Sequence, residues 1–286
     1  MRSIKTPLLG AHMSIAGGID QAFYRGAEIK CTAIQIFTHS NRQWAMNPLT
    51  QKTVDDVAIA RKKTGITECV VHASYLINLG SQTVETVKKS KEALYKELAH
   101  CETLSITTLV LHPGSGSIDP SMCINQISEL IDEVFESTET STTIALENMA
   151  GQGSQVGYKL EHLASIRNKS SYPEKIGFCL DTCHLWASGY DFSTKASYQK
   201  TIDEIDSLLG LTNIKAIHMN DSKKERGSRV DRHEDIGKGT IGLEAFTLLM
   251  NDERLTHIPK IIETPMAELE DSARNIEVLR SLIKNS

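Results

Sequence analysis

Short apolar, β-branched runs punctuate the chain, and each ends abruptly in polar side chains. Eight are found: LLGAHMS, AIQIFTHS, CVVHAS, TLVLHPGSG, TIALENMAG, IGFCLDTCH, IKAIHMNDS and KIIETP. Runs of this length and composition read as buried strands. Between them lie segments such as GGIDQAFYRGAEI, TVETVKKSKEALYKELAHCETL, SMCINQISELIDEVFEST, SYQKTIDEIDSLLG and GLEAFTLLMND. Their apolar residues fall at i, i+3, i+4 spacing with polar residues opposite, the pattern of helices lying on a sheet. Strand and helix alternate eight times at intervals of roughly 35 residues, which predicts a closed α/β fold, a single (β/α)8 TIM barrel. No linker, low-complexity tract or composition shift divides the chain, so one domain over residues 1–286 is expected.

Composition narrows this picture. The chain has 286 residues, 40% hydrophobic and 23% charged, which are globular values. No stretch approaches the ~20 apolar residues of a membrane span. The N-terminal MRSIKTPLLGAHMS has basic residues but no apolar h-region or cleavage site, so a cytoplasmic location is expected. The six cysteines, at 31, 69, 101, 123, 179 and 183, contain no C-x-x-C pair and read as reduced core residues. A net charge of −5 does not by itself suggest nucleic acid. Any basic footprint must be local, and SKKERGSRVDR, residues 222–232, is the densest cationic run.

The candidate chemistry lies at the ends of the third to eighth runs: His72, His112, Glu147, Asp181, His218 and Glu263. A parallel barrel brings these ends together around one shallow bowl. Mixed imidazole and carboxylate donors suit zinc, manganese or similar divalent ions. Six are too many for one tetrahedral ion. With a bridging carboxylate they serve two, an arrangement that clamps the attacking and leaving oxygens of a phosphoryl displacement. A lone strand-end histidine is more often structural, but carboxylates following IAL, FCL and KII need a positive partner. A further pair stands in GSRVDRHEDIGKG, residues 227–239. Asp231 and His233 are two apart and share one side of an extended segment, and His184, three beyond Asp181, supplies a third donor. On spacing alone a third ion and a solvated, salt-bridged loop are equal alternatives.

GFCLDTCHLWASGYD, HMNDSKKERGSRVDRHEDIGKG, ENMAGQG and VVHASYLINLG, each in its expected order and spacing, resemble the signatures of endonuclease IV, the metal-dependent apurinic/apyrimidinic endonucleases of the deoxyribonuclease IV type. The similarity runs from GAHMSIAGG near the N-terminus to IIETP near the C-terminus. It implies a trinuclear zinc centre in which His72, His112 and Glu147 hold one ion. Glu147 then bridges to a second, held by Asp181, His218 and Glu263, and His184, Asp231 and His233 hold the third. The implied reaction is hydrolysis of the phosphodiester 5′ to an abasic deoxyribose in double-stranded DNA, leaving a 3′-hydroxyl and a 5′-deoxyribose phosphate, with trimming of blocked 3′ ends besides. Zinc suits it by lowering the pKa of bound water from 15.7 to about 7. Glu147 and Glu263 are the catalytic candidates, orienting the nucleophile. A monomer needing no protein partner is expected.

A backbone phosphate carries no information about a missing base, so recognition must come from elsewhere. Extruding a nucleotide costs least where no base remains to be unstacked. By the resemblance, Arg42 of SNRQW and Tyr75 and Leu76 of SYLINL fill the gap, while Lys223, Lys224, Arg226 and Arg229 contact phosphates. Ser40 and Ala73 depart from residues some members carry there. Among the remaining histidines, His12 reads as a supporting or structural residue and His39 as a DNA contact or a bystander. His100, His162 and His257 read as solvated. The runner-up function is a sugar isomerase or epimerase on the same barrel, which fold cannot separate but which has no evident need for a third ion or a cationic loop. A non-catalytic DNA-damage binder is disfavoured by the complete ligand set.

Overall fold

The apolar runs become the staves of a closed parallel barrel in the computed structural model, which describes residues 7–116, 119–265 and 268–284. Residues 1–6, where the leader reading begins, lie outside them. The first seven staves are β1 (Leu9–His12), β2 (Ala33–Ile36), β3 (Glu68–His72), β4 (Thr108–Leu111), β5 (Thr143–Glu147), β6 (Ile176–Asp181) and β7 (Ile214–His218). A two-residue ribbon follows, β8 (Asp221–Ser222) antiparallel to β9 (His233–Glu234), before β10 (Lys260–Ile262) closes the barrel against β1. Next to that seam a side chain on Gly10 would collide with the Ala33 backbone, its Cβ lying 1.6 Å from the carbonyl oxygen, so glycine is what lets β1 meet β2.

Helices α1 (Ile19–Glu28), α2 (Gln51–Thr64), α3 (Val84–Thr103), α4 (Pro120–Glu136), α5 (Leu160–Lys169), α6 (Thr182–Ser188), α7 (Lys195–Leu209) and α8 (Leu243–Asn251) fill the crossovers, and α9 (Leu269–Ser281) follows the last strand. The main core lies between them and the strands, with Phe23, Leu94, Leu98, Phe178 and Phe246 fully buried. All six cysteines are buried and unpaired, as the sequence suggests. Among the described residues no helix is long and apolar enough to cross a membrane.

Inside the barrel a separate apolar layer is formed by Val70, Val110, Ala145, Cys179 and Ala216. Each stands two residues before a polar side chain: His72, His112, Glu147, Asp181 and His218. Strand side chains alternate faces, so those polar groups share the inward face and sit directly above the apolar layer, at the mouth. The barrel thus aims them before any contact among them is considered.

One expectation about histidines fails. His100 is only 5% exposed, its ring lodged between α3 and the loop after β2. A helical pattern marks it as polar but not that a loop more than 50 residues away covers it. His162 is half-buried and its Nδ1 accepts from the Gly157 N–H at 3.2 Å, whereas His257 is exposed.

Candidate metal centre

Hydrogen bonding fixes which nitrogen faces the bowl in four of the five imidazoles, His72, His218, His184 and His233. Nδ1 of His72 donates to the Ala73 carbonyl at 2.7 Å, which leaves the Nε2 lone pair 3.1 Å from Glu147 Oε2. His218 is turned the other way: Nε2 donates to Gln35 Oε1 at 2.8 Å, and Nδ1 lies 3.2 Å from Glu147 Oε1 and 3.1 Å from Glu263 Oε2. Nδ1 of His184 donates to the Asn148 carbonyl at 2.9 Å, and Nδ1 of His233 to the Glu263 carbonyl at 3.1 Å. Their Nε2 atoms approach Asp231 at 3.2 and 3.3 Å, yet both are buried without a hydrogen bond. His112 Nε2 completes the set, 3.2 Å from Glu147 Oε2.

Lone pairs facing carboxylate oxygens repel unless a positive charge lies between them, so this arrangement calls for cations or protons. The donors fall into clusters whose ligand atoms lie within 4.8 Å of one another: His72, His112 and Glu147; Glu147, Asp181, His218 and Glu263; and His184, Asp231 and His233. These are groups able to hold metal ions, and the two orphaned Nε2 atoms show that the third is not satisfied by hydrogen bonds alone. Cys179 and Cys183 lie within reach of the same groups, but burial pushes both thiols up to about 12, so they stay protonated beside better donors.

The electrostatics carry the same message. Burial alone would raise Glu147, but His218, His112 and His184 outweigh it and hold the carboxyl well below its usual range. Burial would lower His184, yet Asp181, Asp231 and Glu147 hold it well above the ordinary imidazole value. His218 is raised in the same way, against its burial, by Cys179, Glu263 and Glu147. Against its own burial, Asp231 is held down at about 2 by the two imidazoles beside it. Both directions reflect the negative charge gathered around these two rings, which a bound cation would answer as a proton does.

Several supporting residues escape sequence reasoning. Gln35, fully buried on β2, donates to Glu263 Oε1 at 2.6 Å while accepting from His218, so one amide orients two ligands. Its Nε2 also lies 3.0 Å from His12 Nδ1, which gives His12 the supporting place anticipated for it. Asn148 grips the Asp181 backbone through both ends of its amide, and Asn220 bonds Asp181 Oδ2 at 2.6 Å and the Glu263 N–H at 2.7 Å. The available signal is a polar residue inside or just after an apolar run. Asp181 itself caps α6, accepting from the His184 N–H at 2.8 Å, and so sets the turn that carries His184.

The recognition candidates flank this bowl. Arg42 is exposed on the loop after β2. Tyr75, 55% exposed after β3, stands edge-on to His72 with ring centroids 5.2 Å apart, and Leu76, next in the chain, is half-buried. Lys223 and Lys224 are exposed on the loop after β7, with Lys223 3.8 Å from Glu234. Two other cations of that loop are tethered: Arg226 pairs with Asp191 at 2.5 Å, and Arg229 lies over the Tyr158 ring at 4.9 Å. His39 is half-buried, its Nδ1 3.4 Å from Glu97.

Residues 23–282 match the family model described as a xylose isomerase-like TIM barrel. The "Probable endonuclease 4" of Chloroflexus aurantiacus is 42% identical over 283 residues, covering 98% of this chain and 99% of its own. The crystal structure of endonuclease IV from Thermus thermophilus superposes with a TM-score of 0.86 at 33% identity, over 96% of this chain and 98% of that one. A D-tagatose 3-epimerase-like protein, at a TM-score of 0.72 and 19% identity over 96% of each chain, shares the fold alone. Matched by a family model over most of its residues and by such relatives along nearly its whole length, the chain belongs to the endonuclease IV family of TIM-barrel proteins.

Proposed function

We propose that this chain is a DNA-repair nuclease that hydrolyses the phosphodiester 5′ to an abasic site in duplex DNA, that it works with three zinc ions, and that it also trims blocked 3′ ends. The observation that carries the reading is the convergence of nine imidazole and carboxylate donors, in three groups, at the mouth of the barrel. His72, His112 and Glu147 would hold one ion; Glu147, Asp181, His218 and Glu263 the second; His184, Asp231 and His233 the third. Bound zinc supplies Lewis acidity toward phosphoryl oxygens and an activated water near neutral pH.

The chain's own residues set up the rest. Glu147 faces four imidazoles, His72 and His112 through Oε2 and His184 and His218 through Oε1, so it links the first two groups without a change of rotamer. Gln35 and Asn220 pin Glu263 from the side chain and the backbone, leaving Oε2 free toward His218. Tyr75 stands over His72 at the lip with Leu76 beside it, and Arg42 lies on the adjacent loop, a placement that suits side chains filling the gap left by an extruded abasic nucleotide. Lys223 and Lys224, with Arg226 and Arg229, give a net acidic protein a local cationic edge for phosphates. Nothing in this arrangement requires more than a monomer.

The test is incision of a duplex carrying one synthetic abasic site. The purified protein should nick it on the 5′ side without added magnesium and after brief exposure to EDTA, and should lose that activity once its metal is stripped. A zinc-loaded protein giving no 5′ incision overturns the assignment.

A further inference from the structure

Away from the metal donors, α3 carries buried polar groups that the chemistry does not use. Glu97 is fully buried; its Oε2 accepts from the Thr38 hydroxyl at 2.7 Å and its Oε1 from the Ser74 N–H at 3.2 Å. One turn further along, His100 meets the same Thr38 hydroxyl through Nδ1 at 3.1 Å and donates from Nε2 to the Asn47 carbonyl at 3.1 Å. The Ser74 hydroxyl donates in turn to the Asn41 carbonyl at 3.0 Å. The loop after β2 is thus fastened to α3 at Thr38 and at Asn47, with exposed Arg42 between. The loop after β3 is fastened through Ser74, the residue before Tyr75.

Proton counting shows why this set belongs together. The Asn47 carbonyl requires His100 to carry its hydrogen on Nε2. Thr38 has one hydroxyl proton and two neighbours, Glu97 Oε2 and His100 Nδ1. When it turns to Glu97, His100 Nδ1 must bear a proton; when it turns to His100, Glu97 must bear one. Thr38, Glu97 and His100 satisfy one another when the pair shares one proton and is neutral overall, and His39, its Nδ1 3.4 Å from Glu97 Oε1, sets a second imidazole beside a buried carboxylate with which no Lys or Arg is paired among the described residues.

We infer that Glu97 and His100 are positioning residues for damage recognition, holding the Arg42 loop and the Tyr75 loop as one rigid jaw beside the metal bowl. Loops ordered before DNA arrives do not lose that freedom on binding, so the tether acts on substrate affinity rather than on the chemical step. The inference rests on the reading of Arg42 and Tyr75 as side chains that fill the gap at an abasic site.

Thr38→Val removes the hydroxyl and keeps the shape, and Glu97→Leu removes both acceptors. In each, amide hydrogen exchange over 38–47 and 74–77 should accelerate about five- to tenfold, the effect of losing one or two hydrogen bonds. Exchange in β5 and metal content should not change. KM for abasic duplex should rise by a similar factor, while kcat and hydrolysis of bis(p-nitrophenyl) phosphate, which offers no duplex to grip, stay at wild-type values. Glu97→Gln, which keeps an acceptor for Ser74 and a polar contact for Thr38, should restore both exchange and KM. Unchanged exchange in Thr38→Val overturns the inference, as does a loss of small-phosphodiester hydrolysis in parallel with the KM effect. Arg42→Ala separates the two layers. If that variant binds abasic duplex normally, the recognition reading fails; if it is impaired while Thr38→Val behaves as wild type, only the tether fails.

Discussion

Glu263→Gln is expected to leave a folded barrel whose incision of abasic DNA has fallen by about a thousandfold or more, the scale of losing several kcal/mol of metal-borne stabilisation. Two neighbours make the isosteric change severe. Gln35 Nε2 donates to Glu263 Oε1, so the new carbonyl must take that position and the new NH2 must face His218. There it meets His218 Nδ1, at present 3.1 Å from Glu263 Oε2, and donates into the lone pair that the imidazole would offer an ion. One substitution therefore removes a carboxylate and silences a second donor. Because the backbone N–H of residue 263 stays bonded to Asn220, the fold itself should be unaffected. Steady-state incision kinetics beside a thermal melt check this; wild-type rates would refute a role for Glu263 in the centre.

The second large effect concerns Asp221, whose side-chain hydrogen bonds among the described residues go to none of the proposed ligands. Its carboxylate is fully buried, with Oδ1 accepting from the N–H groups of Ser222 and Ile241 at 2.8 and 3.1 Å. Oδ2 accepts from those of Gly237 and Gly239 at 2.9 and 3.1 Å. Four backbone donors from both ends of a twenty-residue stretch thus converge on one side chain, which closes the loop displaying Asp231 and His233. Gly239 has to be glycine for this: a Cβ there would lie 2.3 Å from Asp221 Oδ1. In Asp221→Asn one oxygen becomes an NH2 group aimed at two N–H donors, and each donor left unsatisfied costs about 1–3 kcal/mol. The expected result is a melting temperature several degrees lower and a protein that binds about two metal ions instead of three, since His184 loses the partners that the loop supplies. A variant with unchanged melting and a full metal complement would show that the loop does not depend on this clamp.

The strands and the donors at their ends are legible because two regularities coincide. Alternation along a strand and closure of a parallel barrel place His72, His112, Glu147, Asp181 and His218 together with no knowledge of side-chain contacts. Asp231 and His233 are ambiguous in the sequence, since the pattern of RVDRHED suits a solvated loop equally well. What distinguishes the alternatives is three-dimensional: Asp181 starts α6 and turns His184 toward them. Gln35, Asn220, Asp221 and Glu97 carry no comparable signal, and their partners explain why. Gln35 bonds a residue 228 positions away, and the Asp221 clamp closes only when the loop has folded back on β8. His100 misleads for the same reason, its cover being a loop from another crossover. Arg226 and Arg229 can be located in a cationic run, but not their tethers to Asp191 and Tyr158.

The most direct test of the account is the metal content of the intact chain. Elemental analysis of protein purified without chelator and dialysed against zinc-free buffer should give three zinc ions per chain. One or none, or magnesium at that stoichiometry, would contradict a centre built from all nine donors.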